Sequence, residues 1–406
     1  MMCMKRLIST ILLIFASILL YAQDFSDIYQ DASSFADLFT DVNTGLTVFP
    51  ILMVPGGGKY EGMGTAYTAV AGDSGFLEAN PSASSLLDFT ELSFIHNNWI
   101  ADSRLEGVIY TMRFNDLGIG FGGKFLYVPF TGYDDWGERT GGGYYSESIA
   151  TANISYNFLS SYHFYGVALG ANLKVAYRNV PSVRYTDQSA IAPLIDIGAL
   201  TRFNLLKFYA SRSKNFSVGL VLKNLGPLVK KEPLPTVLTA GLAYSPLRPV
   251  TIAVDLNVPI GYGQGAEEPN LAGGLNVSVT DFFAIHSGFQ YRGANPRFSL
   301  GGTVDLRRVS FVANYTLDLS TMVNTPDRFS LEAKLNLGDE GRLAQRHRVD
   351  EYYIAGIEEF VAGNLEKAIG YFEKALQLDP GFSPAREFLD EVSRQLKNRE
   401  ELRSLQ

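Results

Sequence analysis

From Thr90 to Leu337 the chain repeats one pattern, segment after segment: apolar and polar residues alternate with a period of two. Val250, Ile252, Val254, Leu256 and Val258 alternate with Thr251, Ala253, Asp255 and Asn257. Phe329, Leu331, Ala333, Leu335 and Leu337 alternate with Ser330, Glu332, Lys334 and Asn336. In an extended strand this spacing puts the apolar side chains on one face and the polar ones on the other. About fourteen such segments occur, most near the ten-residue length of a membrane-crossing strand. No apolar run after Leu20 approaches the length of a membrane helix, so the only membrane-spanning form open to the mature chain is a closed barrel.

Alternation by itself does not say which face lies inside. A β-sandwich or a lipocalin-like barrel alternates too, with the apolar face inward. Three features favour a transmembrane barrel. The segments exceed the usual five or six residues of soluble strands. Their polar faces carry glycine, serine, asparagine and single charges, as a wet lumen would. Aromatics gather at segment ends (Tyr127, Phe130, Tyr133, Trp136, Tyr144, Tyr145, Tyr156, Phe158, Tyr162, Phe164, Tyr291), as interfacial girdles do. The connections also alternate in length. Asn115-Asp116, Ser160-Ser161-Tyr162, Pro246-Leu247-Arg248-Pro249, Thr280-Asp281 and Arg307-Arg308 read as short periplasmic turns. Val128–Gly143, Asn179–Ser189, Asn224–Pro235, Pro259–Asn270 and Asp318–Asp327 read as longer outer loops. Asn204–Asn215 is long on the short side and Gly293–Pro296 short on the long side.

Residues 1–23 read as a secretory signal: Lys5 and Arg6, an apolar core from Leu7 to Leu20, then Tyr21-Ala22-Gln23 for cleavage. Its removal takes away Cys3, the one cysteine, and with it any disulfide or thiolate chemistry. It also removes two cations from a chain of net charge −8, so nucleic acid is not an expected partner. Asp24 to Leu46 is acidic with scattered aromatics and compatible with a short helix; Pro55 to Lys59 reads as a flexible turn.

Residues 24–89 form the N-terminal segment, and within it Gly62 to Ala83 breaks the chain's habits. Glycines and small residues dominate, no alternation is present, and Asn80-Pro81 biases the backbone toward extended geometry at its close. A non-repeating stretch before one long regular region is expected to be a lumen plug, with Gly62, Met63, Gly64, Ala66, Asp73, Asn80 and Pro81 as plug or gate positions. Residues 90–337 are then the barrel.

After Leu337 strand patterning stops and charge rises, to 24 charged residues among the last 69 against 19% overall. Tyr352, Tyr353, Ile357 and Phe360, then Ala368, Ile369, Phe372 and Leu376, follow helical spacing. Residues 338–406 resemble one tetratricopeptide repeat (TPR): Tyr352, Gly356, Gly363, Ala368, Phe372, Ala375 and Pro380 fall on its signature spacing. Glu359 stands where an aromatic is expected, with Phe360 next to it. Phe382 to Leu402 is expected to form a third, capping helix.

Letter matches to catalytic motifs do not survive their context. Gly118-Ile119-Gly120-Phe121-Gly122-Gly123 matches a dinucleotide fingerprint, yet an alternating strand and not a helix follows it. Gly56-Gly57-Gly58-Lys59 lacks the spacing of a phosphate loop. His96, His163, His286 and His347 are scattered without ligand spacing. Asp134-Asp135 and Glu267-Glu268 read as solvated loop acids. No nucleophile sits with a base, so no catalytic residue, metal or cofactor is expected.

The glycine-Met-Gly start, Thr68-Ala69-Val70-Ala71-Gly72-Asp73 and Asn80-Pro81-Ser82-Ala83 together resemble the N-terminal plug motif of the long-chain fatty-acid transporter (FadL-type) outer-membrane barrels. They are also similar to the related PorV-type barrels, as are Asn224-Leu225-Gly226-Pro227, Leu234-Pro235 and Gly241-Leu242-Ala243-Tyr244. This chain has Asn-Pro-Ser where the family commonly shows Asn-Pro-Ala. The resemblance implies an all-β transmembrane barrel of about fourteen antiparallel strands with an N-terminal lumen plug and a small C-terminal α-helical, TPR-like domain. It further implies an outer-membrane location, contact with outer-membrane lipid, and inward passage of hydrophobic small molecules such as long-chain fatty acids. In that family the hatch shifts and ligand leaves through a gap in the wall. The alternative expectation is a PorV-like assembly barrel that docks a periplasmic protein or peptide through its repeat.

Overall fold

The computed structural model describes residues 47–99, 102–161, 164–181, 187–209, 213–261, 268–291, 297–318 and 328–404. The expected signal and the Asp24–Leu46 segment lie outside the described residues, as does the Gly293–Pro296 connection. Fourteen antiparallel strands form one closed sheet, each paired with its neighbours in sequence. The first hairpins are β1 (Thr90–Asn98) with β2 (Arg104–Phe114), and β3 (Leu117–Tyr133) with β4 (Arg139–Phe158). β5 (Val167–Asn179), β6 (Ala190–Phe203), β7 (Phe216–Leu225), β8 (Val237–Leu247) and β9 (Val250–Pro259) follow. β10 (Asn270–Ser278), β11 (Phe283–Tyr291), β12 (Arg297–Asp305), β13 (Val309–Asp318) and β14 (Arg328–Gly338) complete the wall. Closure comes from β1 against β14, in register from Thr90↔Gly338 to Asn98↔Phe329. Thr90 and Gly338 mark what we call the lower end; the β1–β2 and β3–β4 connections mark the upper end.

Burial decides which face is inside. Along β5, Leu169, Leu173, Val175 and Tyr177 are exposed, whereas Asn172 and Lys174 are buried. Leu173 is 62% exposed and its neighbour Lys174 only 9%. The same inversion holds along β14, where Phe329 and Leu331 face out and Arg328, Ser330, Glu332 and Lys334 face in. A water-soluble barrel has the opposite arrangement; an apolar outer belt around a polar lumen is that of a membrane barrel.

Three local expectations change. Val128–Gly143 is not a loop: β3 and β4 stay paired up to Tyr133↔Arg139, and only the Asp134–Glu138 turn closes the hairpin. Its Gly- and Tyr-rich arms hide the strand period, but the rings of Tyr127 and Tyr144 pack edge-on across the pair, 6.3 Å apart. Of the apolar run there, Phe125 points outward and Leu126 into the lumen. The β4–β5 connection is longer than Ser160-Ser161-Tyr162, since β5 starts only at Val167. Pro55 to Gly58 is buried and packed rather than loose. Ladder irregularities sit at Thr90/Glu91, Gly132/Tyr133, Ile195/Ile197 and Tyr244/Leu247. Every neighbouring pair of described strands is hydrogen-bonded, so the described wall carries no gap of the kind the resemblance implies.

Before β1 the chain runs down the lumen. It makes a 3-10 turn at Pro50–Leu52, two short helices, α1 (Gly58–Gly62) and α2 (Phe76–Ala79), and a second 3-10 turn at Pro81–Leu86. Below the barrel, α3 (Arg342–Val361), α4 (Leu365–Leu378) and α5 (Ser383–Ser404) pack around Val349, Ala368, Phe372, Phe382, Ala385 and Val392.

Candidate functional site: a filled lumen and its chamber

Gly62 to Pro81 is packed inside the ring of strands, and Met63, Ala66, Ala79 and Asn80 have no exposed surface. Close approach of two backbones makes this possible, and it needs glycine on both sides. A Cβ on Gly288 of β11 would lie 2.0 Å from the Met63 carbonyl carbon; one on Gly118 of β3 would lie 2.1 Å from that of Ser84. On the plug side, Gly64 has φ +62° and would meet the Phe289 backbone nitrogen at 2.5 Å. The inward glycines of Gly118-Ile119-Gly120-Phe121-Gly122 are therefore a bed for Ser84, Phe76 and Leu77. Large residues fill what the small ones leave: Tyr60, Met63, Tyr67 and Phe76 form the plug's apolar cluster with Ile95, Ile109 and Leu200 of the wall.

Polar contacts fix the plug at several heights. Asp73 forms an ion pair with Lys334 of β14, which also lies 3.3 Å from Glu332. The Tyr67 hydroxyl donates to Asp73 (2.9 Å), and the Ser74 hydroxyl to Glu332 (2.8 Å). Burial pushes the Asp73 carboxyl up, but the Lys334 and Lys59 charges and two donated hydrogen bonds outweigh it and hold it below the usual range. Burial, then the Asp73 charge, pushes the Tyr67 phenol up. Asp255 of β9 accepts from the backbone N–H groups of Tyr67 (3.0 Å) and Thr68 (2.9 Å).

Asn80 does more than set up the proline. Its extended backbone (φ −154°, ψ 109°) begins the Pro81–Leu86 turn, and its side-chain oxygen caps Ser82 N–H at 3.1 Å. Its amide donates to Thr68 O (2.9 Å) and to Ala199 O of β6 (3.1 Å), tying two parts of the plug to the wall.

A second layer lies above. Val48, Phe49, Ile51 and Val54 bury against Leu105, Leu126, Ala192, Leu194 and Leu234 in the upper lumen. Val48 N–H donates to Pro233 O (3.1 Å), Ile51 N–H to Glu147 (3.0 Å), and Lys124 to Val54 O (2.7 Å). This cap of the lumen gave no signal in the sequence, because its anchors come from β3, β4 and the β7–β8 connection.

Between cap and plug a chamber of about 130 Å³ remains. Leu52 and Met53 of the cap, Tyr60 and Leu77 of the plug, and Ile95, Ile109 and Ile149 of the wall make its apolar side. The facing side is a polar chain: Thr239 donates to Asn257 (2.7 Å), Asn257 and Gln290 to Asn270 (2.8 and 3.3 Å), and Arg297 to Gln290 (2.5 Å). Lys223 enters it through a bulge, where Lys223 and Asn224 of β7 oppose Asp196 of β6. Asn224 takes φ +57°, its N–H donates to Asp196 (2.8 Å), and Lys174 pairs with Asp196 at 2.6 Å. That bulge accounts for Asn224-Leu225-Gly226-Pro227: asparagine tolerates the left-handed geometry and ends the strand.

The repeat-signature residues gather elsewhere. Gly356 lets Phe372 approach so closely that a Cβ would lie 2.6 Å from its ring. Ala368 and Ala375 are fully buried, the Tyr352 ring lies tilted 6.4 Å from that of Tyr371, Gly363 (φ +81°) ends α3, and Pro380 follows α4. Phe360, beside the departing Glu359, packs edge-on against Phe388. Arg342 joins the two parts of the molecule, donating to Asp88 O (2.9 Å) and Arg113 O (3.2 Å) at the barrel's lower end. The three described histidines work singly: His96 with Glu106, His286 with Asn314, His347 with Glu351.

Comparison with known proteins agrees with this architecture. A UPF0164 protein of Treponema pallidum (strain Nichols) is 29% identical over 374 residues, covering 88% of this chain and 85% of its own. A second from the same organism is 24% identical over 384 residues, covering 85% and 76%. Among solved structures, the TodX monoaromatic hydrocarbon channel deltaS2 mutant superposes with a TM-score of 0.50 at 12% identity, over 70% of this chain and 99% of that one. At that identity the likeness is one of fold. The family model described as "Uncharacterised protein family (UPF0164)" matches residues 30–340, plug and barrel together, and the chain belongs to that family.

Proposed function

We propose that this barrel sits in the bacterial outer membrane, its helices in the periplasm, and carries hydrophobic small molecules, long-chain fatty acids among them, inward past a movable plug. The observation that carries the reading is the chamber left between cap, plug and wall, with an apolar side continuous with the plug's own core. A permanently open pore needs no plug; a lumen filled by a short, separately anchored segment opens when that segment shifts. The membrane placement is supported by the apolar outer face.

A reversible lock tests it. Ser74 of the plug and Ser93 of β1 have their hydroxyl oxygens 2.9 Å apart. In a Ser74→Cys/Ser93→Cys variant, oxidation joins plug to wall. Reconstituted in vesicles, the oxidised variant is expected to stop uptake of a fluorescent fatty acid, and reduction to restore it. Equal uptake in both states defeats the gating role of the plug.

A second reading, an assembly barrel that docks a periplasmic partner, is favoured by the Arg342 bridge, which ties a TPR-like helical unit to the point where the plug leaves the lumen. Deleting residues 338–406 separates the two: uptake survives under the first and the function is lost under the second.

A further inference from the structure

The chamber's charge and size point to a narrower ligand. Four cations line it, Lys124, Lys174, Lys223 and Arg297, against one carboxylate, Glu78. Glu78 is taken by Lys124 at 3.0 Å, and Lys174 by Asp196 at 2.6 Å. Lys223 differs. Among the described residues no carboxylate lies within ion-pair distance of it, and its ammonium stands 5.8 Å from the centre of the Tyr60 ring. Asp255, Asp196 and Glu78 act on it only from beyond contact, so burial leaves the ammonium undermatched, and an anion placed directly against it lowers that cost.

Size then restricts the anion. The chamber holds about 130 Å³, and an apolar cavity of about 150 Å³ takes a single benzene ring. An extended long acyl chain does not fit within that volume and would have to reach beyond the chamber. We propose that the chamber is a binding site for a compact monoanion of single-ring size, an aromatic or alicyclic carboxylate, with its carboxylate at Lys223 and its ring against Leu77, Ile95 and Ile109. This rests on the reading of the chamber as a station on an uptake route and specifies what the station accepts. Tyr60, under the Lys223 ammonium, offers the ring an aromatic neighbour at the charged end.

Equilibrium dialysis of radiolabelled benzoate against the full-length protein in nanodiscs, with empty nanodiscs as blank, tests the site. Saturable one-to-one binding is expected, weakened tenfold or more in Lys223→Met and kept within a few-fold in Lys223→Arg. Cyclohexanecarboxylate is expected to compete, and toluene, of like size but neutral, to compete poorly. No saturable binding to the wild type, or equal binding by Lys223→Met, overturns the proposal. So does toluene competing as well as the acids. Vesicle uptake of a neutral apolar solute, measured on the same preparation, keeps the two readings apart. Uptake without benzoate binding defeats this site alone; benzoate binding that depends on Lys223 without uptake upholds the site and defeats the transport reading.

Discussion

Asp73 and Lys334 are 261 positions apart and form a buried ion pair between plug and closing strand. Asp73 is held on its other oxygen by Tyr67, and Lys334 is shared with Glu332, so the pair sits in a network rather than alone. With the Ser74–Glu332 hydrogen bond, it is one of the points where the plug and the last strand of the barrel meet.

Removing one partner leaves the other charged, buried and unmatched, which costs about 3–5 kcal/mol. Lys334→Met is therefore expected to loosen the plug, seen as new protease cleavage between Tyr60 and Ala79 in the intact barrel. Asp73→Asn together with Lys334→Met should cost less than the two single changes added. Additive effects would show that the pair is not coupled.

The same pair sets an acid limit. The folded Asp73 carboxyl is held below its ordinary value, so it binds its proton less readily than in the unfolded chain. Its contribution is complete above the unfolded value of about 4 and is lost as pH falls from there toward the folded value. The Asp73 contribution to plug protection from protease should therefore decline as pH falls below about 4. In Asp73→Asn that decline should flatten.

Glycine at the plug–wall contact is a matter of space. A Cβ at Gly288 meets Met63 backbone at 2.0 Å, whereas one at Gly273 meets nothing within 4 Å. Gly288→Ala is expected to displace the plug at a cost of about 1–3 kcal/mol or more; Gly273→Ala should leave protease protection unchanged.

Asn80 uses its amide in both directions. Asn80→Asp keeps an acceptor for the Ser82 cap but loses the donors to Thr68 O and Ala199 O. Asn80→Ala loses both, with about 1 kcal/mol from the cap alone. Because Asn80 is fully buried, an Asp carboxylate would stand against both carbonyl oxygens with no donor, so the order wild type, Ala, Asp is expected in plug protection; Asp protecting better than Ala would mean that the cap outweighs the buried charge.

The helical unit can be probed without touching the barrel. Gly356→Ala drives a methyl to 2.6 Å from the Phe372 ring, while Gly370 has open space around its missing Cβ. Urea unfolding followed by helical circular dichroism should show Gly356→Ala destabilised by about 1–3 kcal/mol. Gly370→Ala should be stabilised by up to about 1 kcal/mol through helix propensity.

Much of this architecture is legible in the residue order. Strands such as Val250–Pro259 and Arg328–Gly338 announce themselves because a strand's two faces repeat every second residue. The helices announce themselves through Gly356, Gly363 and Phe372, because helix packing is local. The plug stands out at Gly62–Ala83 because it has no period. Three things needed the closed fold. Alternation is the same whichever face is inside, and only the ring of strands turns Leu173 out and Lys174 in. The Tyr- and Gly-rich arms of β3 and β4 read as a loop until cross-strand pairing supplies the order that their composition lacks. Partners such as Asp73 with Lys334, or the chamber walls at Leu77, Lys223 and Arg297, come from distant segments. Closing the barrel brings them together, and no local pattern in a chain encodes who will stand opposite whom across a lumen.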